Sequence, residues 1–206
     1  MKLVCISDTH LRHGFQVPDG DVLIHAGDAT LGGAASEIRE FSRWFGSLPH
    51  RQKVFVAGNH DFGFQEQRSA AVGLLPHGCH YLEDSGVTIN GVKFWGSPWQ
   101  PWFLSWAFNL PRGEALKAHW DLIPLDTDVL ITHTPPHGIL DLVPRGEYVG
   151  CEDMLKAVQR VNPKVHIFGH IHCGYGQERR NGTTFINAAI CDEGYMPTNA
   201  PIVFDL

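Results

Sequence analysis

The chain has 206 residues, of which 43% are hydrophobic and 18% are charged, and its formal net charge at pH 7 is -6. This length and composition are typical of one large globular domain, so we predict a single domain over residues 1–206. Because there is no excess of cations to neutralise a run of phosphates, extended nucleic acid is not expected as a partner. A small anionic substrate held by local groups is compatible with this charge.

The cysteines and the N-terminal residues predict a cytoplasmic protein. The five cysteines are an odd set without a C-x-x-C pair, which is typical of a reduced, intracellular chain. Residues 3–7 (LVCIS) predict a strand rather than the apolar segment of a secretory signal. No apolar stretch approaches the roughly 20 residues that a membrane-spanning helix needs, so no membrane association is expected.

Short apolar runs rich in β-branched residues predict buried strands that alternate with helices. In chain order the predicted strands cover residues 3–7, 22–26, 54–57, 129–132 and 165–168. Apolar residues at three- to four-residue spacing predict a helix over 35–48, which Pro49 ends, and another over 152–161, which Pro163 ends. This alternation predicts an α/β fold with parallel strand pairs at its centre.

Two Asn-Gly dipeptides predict tight hairpins. Asn90-Gly91 and Asn181-Gly182 each lie between runs of β-prone residues. Antiparallel pairs are therefore expected beside the parallel ones, so the predicted sheets are mixed.

Side chains that commonly bind metals follow all five predicted strands. The loops read SDTH (7–10), AGD (26–28), AGNHD (57–61), THTPPHG (132–138) and GHIH (169–172). Because the carboxyl ends of parallel strands converge on one crevice, we expect the ligand-type residues of these loops to form one cluster. The cluster comprises Asp8, His10, Asp28, Asn59, His133, His170 and His172. The pairs 8/10 and 170/172 are expected on extended backbone, with both members pointing to one side.

The chemistry of this set favours a pair of transition metals. Two carboxylates, four imidazoles and one amide suit Mn, Fe, Co, Ni or Zn far better than Ca or Mg. Seven protein ligands are too many for one catalytic metal with an open position, but they fit two metals that share a carboxylate. Such a pair supports displacement at phosphorus by generating hydroxide and by clamping the oxygens of the transition state.

Each motif also has a simpler interpretation. A lone His or Asp after a strand is more often a cap or a loop residue than a ligand. The Asn-His-Asp triplet is compatible with an Asx-turn, and GHIH with a hairpin edge. Neither interpretation accounts for ligand-type residues at all five strand ends.

The ordered motifs resemble those of the calcineurin-like metallophosphoesterase superfamily. They are D-x-H (8–10), G-D (27–28), G-N-H-D (58–61), His133 and G-H-x-H (169–172). Further segments, among them GVKFWGSPWQPWF and HIFGHIHCGYG, are similar to the brain-type metallophosphoesterase-domain group and its microbial relatives, so the resemblance covers almost the whole chain. It carries no expectation for the conformation of residues 62–79.

This resemblance implies a fold, a ligand set and a catalytic residue. The implied fold is a sandwich of two mixed β-sheets flanked by helices, in four layers (α/β/β/α). One divalent metal would be bound by Asp8, His10, Asp28 and His172, and the other by Asp28, Asn59, His133 and His170, with Asp28 bridging. Mn is the first choice, and Fe, Co, Ni or Zn are alternatives. His60 would lie beside the leaving group as general acid, with Asp61 as its orienting partner.

Five of the six tryptophans lie in one segment, residues 95–120. Core or subunit packing is the favoured interpretation, because aromatic side chains bury large areas. The alternative is a wall of the substrate cleft, where the rings would stack on a nucleobase.

We therefore expect a dinuclear-metal phosphodiesterase that hydrolyses small organic or cyclic-nucleotide phosphodiesters by attack of metal-bound hydroxide. Two alternatives stay open. A nuclease is opposed by the acidic balance and by the lack of a basic flank. A nucleotide-binding scaffold with weak turnover is opposed by the presence of His60, His170 and His172 together.

Overall fold

The computed structural model describes residues 1–206, and the predicted strands and helices all form. The helices are α1 (Ala35–Ser47), α2 (Phe62–Glu66), α3 (Arg68–Val72), α4 (Glu114–Trp120) and α5 (Glu152–Val161). The strands are β1 (Lys2–Ile6), β2 (Val22–Ala26), β3 (Gln52–Val56), β4 (Cys79–Tyr81), β5 (Ser85–Ile89), β6 (Val92–Ser97), β7 (Gln100–Pro101), β8 (Asn109–Leu110), β9 (Val129–Thr132), β10 (Val165–Phe168), β11 (Gly176–Arg180), β12 (Thr183–Asn187) and β13 (Ile202–Asp205).

The strands form two large mixed sheets and one two-stranded pair. The first sheet has the order β13-β1-β2-β3-β4, and the second has the order β11-β12-β10-β9-β6-β5. In both sheets the inner pairs are parallel, whereas β13, β11 and β5 run antiparallel to their neighbours. Each predicted Asn-Gly turn closes a hairpin, and both residues of each turn have positive φ. The prediction of mixed sheets is confirmed.

Alternating side chains of the central strands build three apolar layers. Leu3 and Ile24 of the first sheet face Ile131 and Ile167 of the second in one shared cluster of buried side chains. The opposite face of the first sheet packs on α1, α2 and α3. The opposite face of the second sheet packs on α4 and α5. The layer order is therefore helix, sheet, sheet, helix, as the resemblance implied.

Both predicted helices begin on capping interactions, and α5 also ends on one. At the start of α1 the Glu37 carboxylate accepts hydrogen bonds from the backbone N–H groups of Gly32 and Ala34. At the start of α5 the Cys151 sulfur accepts from the N–H of Met154. Asn162 follows α5 in the left-handed conformation, before Pro163.

Within residues 62–79, the helices α2 and α3 complete the outer layer of the first sheet, and a loop connects them to β4. Phe64 and Ala71, from α2 and α3, are buried in the cluster that covers this sheet. All five cysteines are unpaired. No helix combines the length and the apolar character that crossing a bilayer requires.

Candidate metal centre

The ligand-type side chains predicted from the strand ends come together at one edge of the sandwich. The first sheet contributes Asp8 and His10 after β1, Asp28 after β2 and Asn59 after β3, all of which are buried. The second sheet contributes His133 after β9, which is buried, and His170 and His172 after β10, which are partly exposed. The centre thus lies where the carboxyl ends of both sheets meet.

The donor atoms of the six predicted Asp and His ligands fall into two adjoining groups, and a third candidate group joins His10 and Asp28 to His60. Asp8, His10 and His172 form one group, and Asp28, His133 and His170 form the other, each with donor atoms within 4.8 Å of one another. Asp28 Oδ2 lies 3.4 Å from His133 Nε2 and 3.9 Å from His10 Nε2, so it reaches both groups. This position suits a carboxylate shared between two ions.

Asn59 belongs to the second group. Its Oδ1, which offers only lone pairs, lies 2.8 Å from His133 Nε2 and 2.7 Å from His170 Nδ1. In the first group the Nε2 atoms of His10 and His172 face each other at 3.4 Å. In each group, oxygen and nitrogen atoms that can act as ligands converge on one point. Such convergence fits a bound cation.

The expectation that the paired ligands lie on extended backbone was wrong. Asp8, His10, Asp28 and His170 all have left-handed backbone, with φ of 52°, 44°, 56° and 68°. His172 begins a single 3₁₀ turn. The chain must reverse direction at each strand end, and sharp turns rather than extended segments direct these side chains into one crevice. Such sparsely populated conformations are typical of functional sites.

The motif glycines allow the two sheets and their loops to approach closely. A Cβ at Gly169 would lie 2.0 Å from Asp8 Oδ2, and one at Gly58 would lie 2.3 Å from Asp28 Oδ1. Both contacts are with the carboxylates of buried aspartates. A side chain at either position would therefore displace a ligand.

The outward nitrogens of two histidines are held by backbone carbonyls. His133 Nδ1 donates to Ala26 O at 3.0 Å, and His172 Nδ1 donates to Asp192 O at 2.8 Å. Because a carbonyl only accepts, the proton is fixed on Nδ1, and Nε2 faces the centre. This second layer of hydrogen bonds is the usual support of a metal-binding histidine.

Charge compensation at the centre comes from histidines alone. Asp8 and Asp28 are buried, and neither forms an ion pair with lysine or arginine. Burial raises the pKa of Asp28, but the charge of His133 outweighs burial and holds it well below its usual range. Burial lowers the pKa of His133, but Asp28 raises it overall to about 9. Two ionised, buried carboxylates among imidazoles fit divalent transition metals.

His60 faces the same crevice and is about as far from Asp28 as His10 is. Its Nε2 lies 4.0 Å from Asp28 Oδ2, and its Nδ1 donates to Leu31 O at 2.9 Å. The ring packs against that of Trp106, with centroids 4.2 Å apart. The carbonyl of Leu31 therefore orients the imidazole and leaves Nε2 towards the cleft.

The expectation that Asp61 orients the His60 ring was wrong. The Asp61 carboxylate accepts from Gly58 N at 2.8 Å and from Thr30 N at 3.0 Å and Thr30 Oγ1 at 2.7 Å. Burial, together with the charge of Asp28, raises the pKa of Asp61 to about 6. Asp61 ties the loop after β2 to the loop after β3, which makes it a positioning residue.

Sequence reasoning missed Tyr195. Its ring centroid lies 4.7 Å from that of His10 and 5.6 Å from that of His172, at the mouth of the centre. It lies on an irregular segment before β13 that carries no ligand-type pattern, so no signal in the sequence indicated it.

Two buried histidines support the ligand-bearing turns from behind. His25 is hydrogen-bonded to Thr9, which lies between Asp8 and His10, and His166 is hydrogen-bonded to Thr132, which precedes His133. Both rings are fully buried, and burial lowers the pKa of each to about 3. They are neutral structural residues.

The tryptophan-rich segment divides between core and cleft. Trp120 is buried in the core beneath the second sheet. Trp106 lines a cavity of about 280 Å³ at the metal centre, which we call the inner cavity; Asp28, Asn59, His60 and Tyr195 also line it. Trp102 lines an adjoining cavity of about 730 Å³. The packing interpretation therefore holds for Trp120, whereas stacking of Trp102 and Trp106 on a nucleobase stays a prediction.

Fold and site together define a calcineurin-like phosphoesterase, and the model of that family matches residues 1–174. The chain belongs to this family, whose members are phosphoric ester hydrolases that normally bind two divalent metals. It is 47% identical to human metallophosphoesterase domain-containing protein 1 over 230 residues, which cover 100% of this chain and 71% of that protein. A UPF0046 protein of Caenorhabditis elegans is 46% identical over 218 residues, which cover 99% of this chain and 74% of that protein.

Solved structures agree on the fold. The protein TT1561 of Thermus thermophilus superposes with a TM-score of 0.61 at 17% identity, covering 90% of this chain and 88% of that chain. A second solved chain gives a TM-score of 0.69 at 20% identity, covering 90% and 89%. The predictions of family and fold are confirmed.

Proposed function

We propose that this protein is a dinuclear-metal phosphodiesterase that acts on small organic phosphodiesters. The observation that carries the proposal is the position of Asp28 between two groups of donor atoms, with His60 beside it. Asp8, His10, Asp28 and His172 would hold one metal, and Asp28, Asn59, His133 and His170 the other. Manganese suits this mixture of carboxylate, amide and imidazole.

Divalent metals bound there would activate a water molecule as nucleophile and neutralise the charge of the phosphate. The residues of the chain then position the reaction and move a proton. The Leu31 carbonyl accepts from His60 Nδ1, so a second proton on His60 resides on Nε2, which faces the cleft. His60 donates that proton to the oxygen of the departing ester group.

The preference for diesters follows from the charges around the inner cavity. No lysine or arginine lines it, and Glu193 adds a negative charge to its wall. A phosphodiester brings one negative charge, whereas a monoester brings close to two at neutral pH. The second charge of a monoester would lie in this cavity without a cationic side chain as partner.

The test compares hydrolysis of bis(p-nitrophenyl) phosphate and p-nitrophenyl phosphate by the same manganese-loaded protein. We expect kcat/KM to favour the diester by at least about tenfold. A free-energy difference of about 1.4 kcal/mol between the two substrates corresponds to a factor of ten. Chelation should abolish both activities, and Mn²⁺ should restore them. Asp121→Asn, which alters an exposed carboxylate that lines neither cavity, serves as the control. Faster turnover of the monoester would refute the proposal.

Two further measurements separate the alternatives. Cutting of single-stranded DNA ahead of the small diesters would favour a nuclease. Mononucleotide binding without turnover by fully metal-loaded protein would favour a scaffold.

A further inference from the structure

A second, larger cavity opens beside the metal centre, and His170 is the one proposed site residue that lines it. This outer cleft has a volume of about 730 Å³. One wall is formed by Pro101, Trp102 and Phe103, and the other by residues 143–149. A phosphate group with its metals does not need this space, so the outer cleft has room for a further part of a ligand.

The outer cleft is continuous with the inner cavity. Five residues line both, namely Phe103, Val143, His170, Ile171 and Glu193. His170 is a predicted ligand of one metal, so the outer cleft begins at the metal centre itself. One ester group of a phosphodiester bound at that centre would extend into it.

The cations of the outer cleft are already engaged by the protein. Arg112 donates to Val149 O at 2.9 Å and to Gly150 O at 2.8 Å, and it also pairs with Glu152. Arg145 pairs with Glu147 at 2.8 Å. Glu193 contributes a further negative charge. Each arginine has an acidic partner, and the two arginines and two glutamates that line the cleft sum to no net charge, which favours a neutral occupant over an anionic one.

Large apolar rings stand exposed in this cleft. The exposed fraction is 64% for Trp102, 54% for Phe103 and 54% for Tyr148. Three exposed aromatic residues that share one concave surface are typical of a binding site, because they offer flat faces to a ligand at little cost in side-chain entropy.

We infer that the outer cleft is a subsite for an uncharged aromatic or apolar ester group of the substrate. The inference rests on the proposed phosphodiesterase function and adds the substrate class: diesters with one bulky, neutral organic group that lies against Trp102 and Tyr148. The anionic phosphate remains at the metal centre, and the leaving group remains beside His60.

The test uses p-nitrophenyl phosphodiesters with a constant leaving group and a variable second ester group: methyl, benzyl or 4-carboxybenzyl. The measured quantity is the ratio of kcat/KM for the benzyl ester to that for the methyl ester, in which differences in metal loading cancel. We expect the unaltered protein to prefer benzyl over both others. Trp102→Ala and Tyr148→Ala should each lower the ratio by about tenfold, as expected for loss of one stacking surface.

Leu125→Ala provides the matched control, because Leu125 is as exposed as Trp102 but does not line the cleft. It should leave the ratio unchanged. A ratio that is also unchanged in Trp102→Ala and Tyr148→Ala, or equal use of the benzyl and carboxybenzyl esters, would overturn this inference alone. If the unaltered protein hydrolyses neither the methyl nor the benzyl ester, the proposed function fails and the subsite inference fails with it.

Discussion

At the scale of single residues, His60 is set apart from the other histidines of the centre by its packing against Trp106. Its Nδ1 hydrogen bond to a backbone carbonyl is a feature that it shares with His133 and His172. Its Nδ1 is held by Leu31 O and its face by Trp106, while its Nε2 lies 4.0 Å from Asp28 Oδ2. The neighbouring Asn59 already supplies the contact with the ligand histidines from this loop. On this basis we propose that His60 donates a proton and that its neighbours bind metal.

We expect His60→Ala to retain its metals but to lose activity in a way that depends on the leaving group. An alkoxide leaving group needs a proton in the transition state, so its rate should fall by about 10² to 10⁴, whereas nitrophenolate should lose clearly less. Metal analysis and kcat on an alkyl diester and a nitrophenyl diester provide the measurement. The exposed His77 offers a control as His77→Ala. Equal losses on both substrates, or loss of metal, would contradict the assignment.

Sequence reasoning located the ligand-type residues because their position at strand ends is a local feature. Asp8 and His133 each follow a short apolar run that is visible in the sequence alone. The partner of His60 was not predictable in this way, since Leu31 acts through its backbone carbonyl. Tyr195 lies beside His10 because of the path of the irregular segment before β13, and no sequence pattern predicts that path.

At the scale of elements, the ends of β1 and β10 come into contact because a glycine follows β10. A Cβ at Gly169 would lie 2.0 Å from Asp8 Oδ2 and 2.1 Å from Ser7 Oγ. His170 N also donates to Asp8 Oδ2 at 3.0 Å, so this junction aligns ligands from both sheets.

Gly169→Ala should therefore displace Asp8 and lower the metal content from two ions towards one per chain, with activity falling in parallel. The cause is steric, because the added methyl group meets a fully buried carboxylate and hydroxyl. Elemental analysis of folded protein, checked by circular dichroism, gives the result. A Cβ at Gly14 meets nothing within 4 Å, so Gly14→Ala is the control. Full metal content in Gly169→Ala would show that the contact does not matter.

The strands and hairpins that carry a regular apolar pattern or an Asn-Gly turn were predictable, whereas the segment between β6 and α4 was not. β7 and β8 are two residues each, and the loop between them is held by Asn109 Nδ2, which donates to Phe103 O and Leu104 O. These contacts form only in the folded loop, so no periodic pattern in the sequence indicates them. The placement of Trp102 and Trp106 at the cleft therefore required the structure.

At the scale of the whole molecule, the metal centre joins the two sheets. Asp28 from the first sheet lies 3.4 Å from His133 of the second, and Asp8 from the first lies 3.2 Å from His172 of the second. The apolar layer between the sheets sets their separation, so packing far from the centre holds both halves of the ligand set in register.

The central claim is that Asp28 bridges two metals, and counting metals tests it most directly. Elemental analysis of the manganese-loaded protein should give two ions per chain. Asp28→Asn should lower occupancy at both positions and abolish diester hydrolysis, because one residue serves both donor groups. Asp121→Asn should retain both ions. The account would be contradicted if the protein, saturated with manganese, reproducibly held one ion per chain. It would also be contradicted if Asp28→Asn retained two ions and full activity.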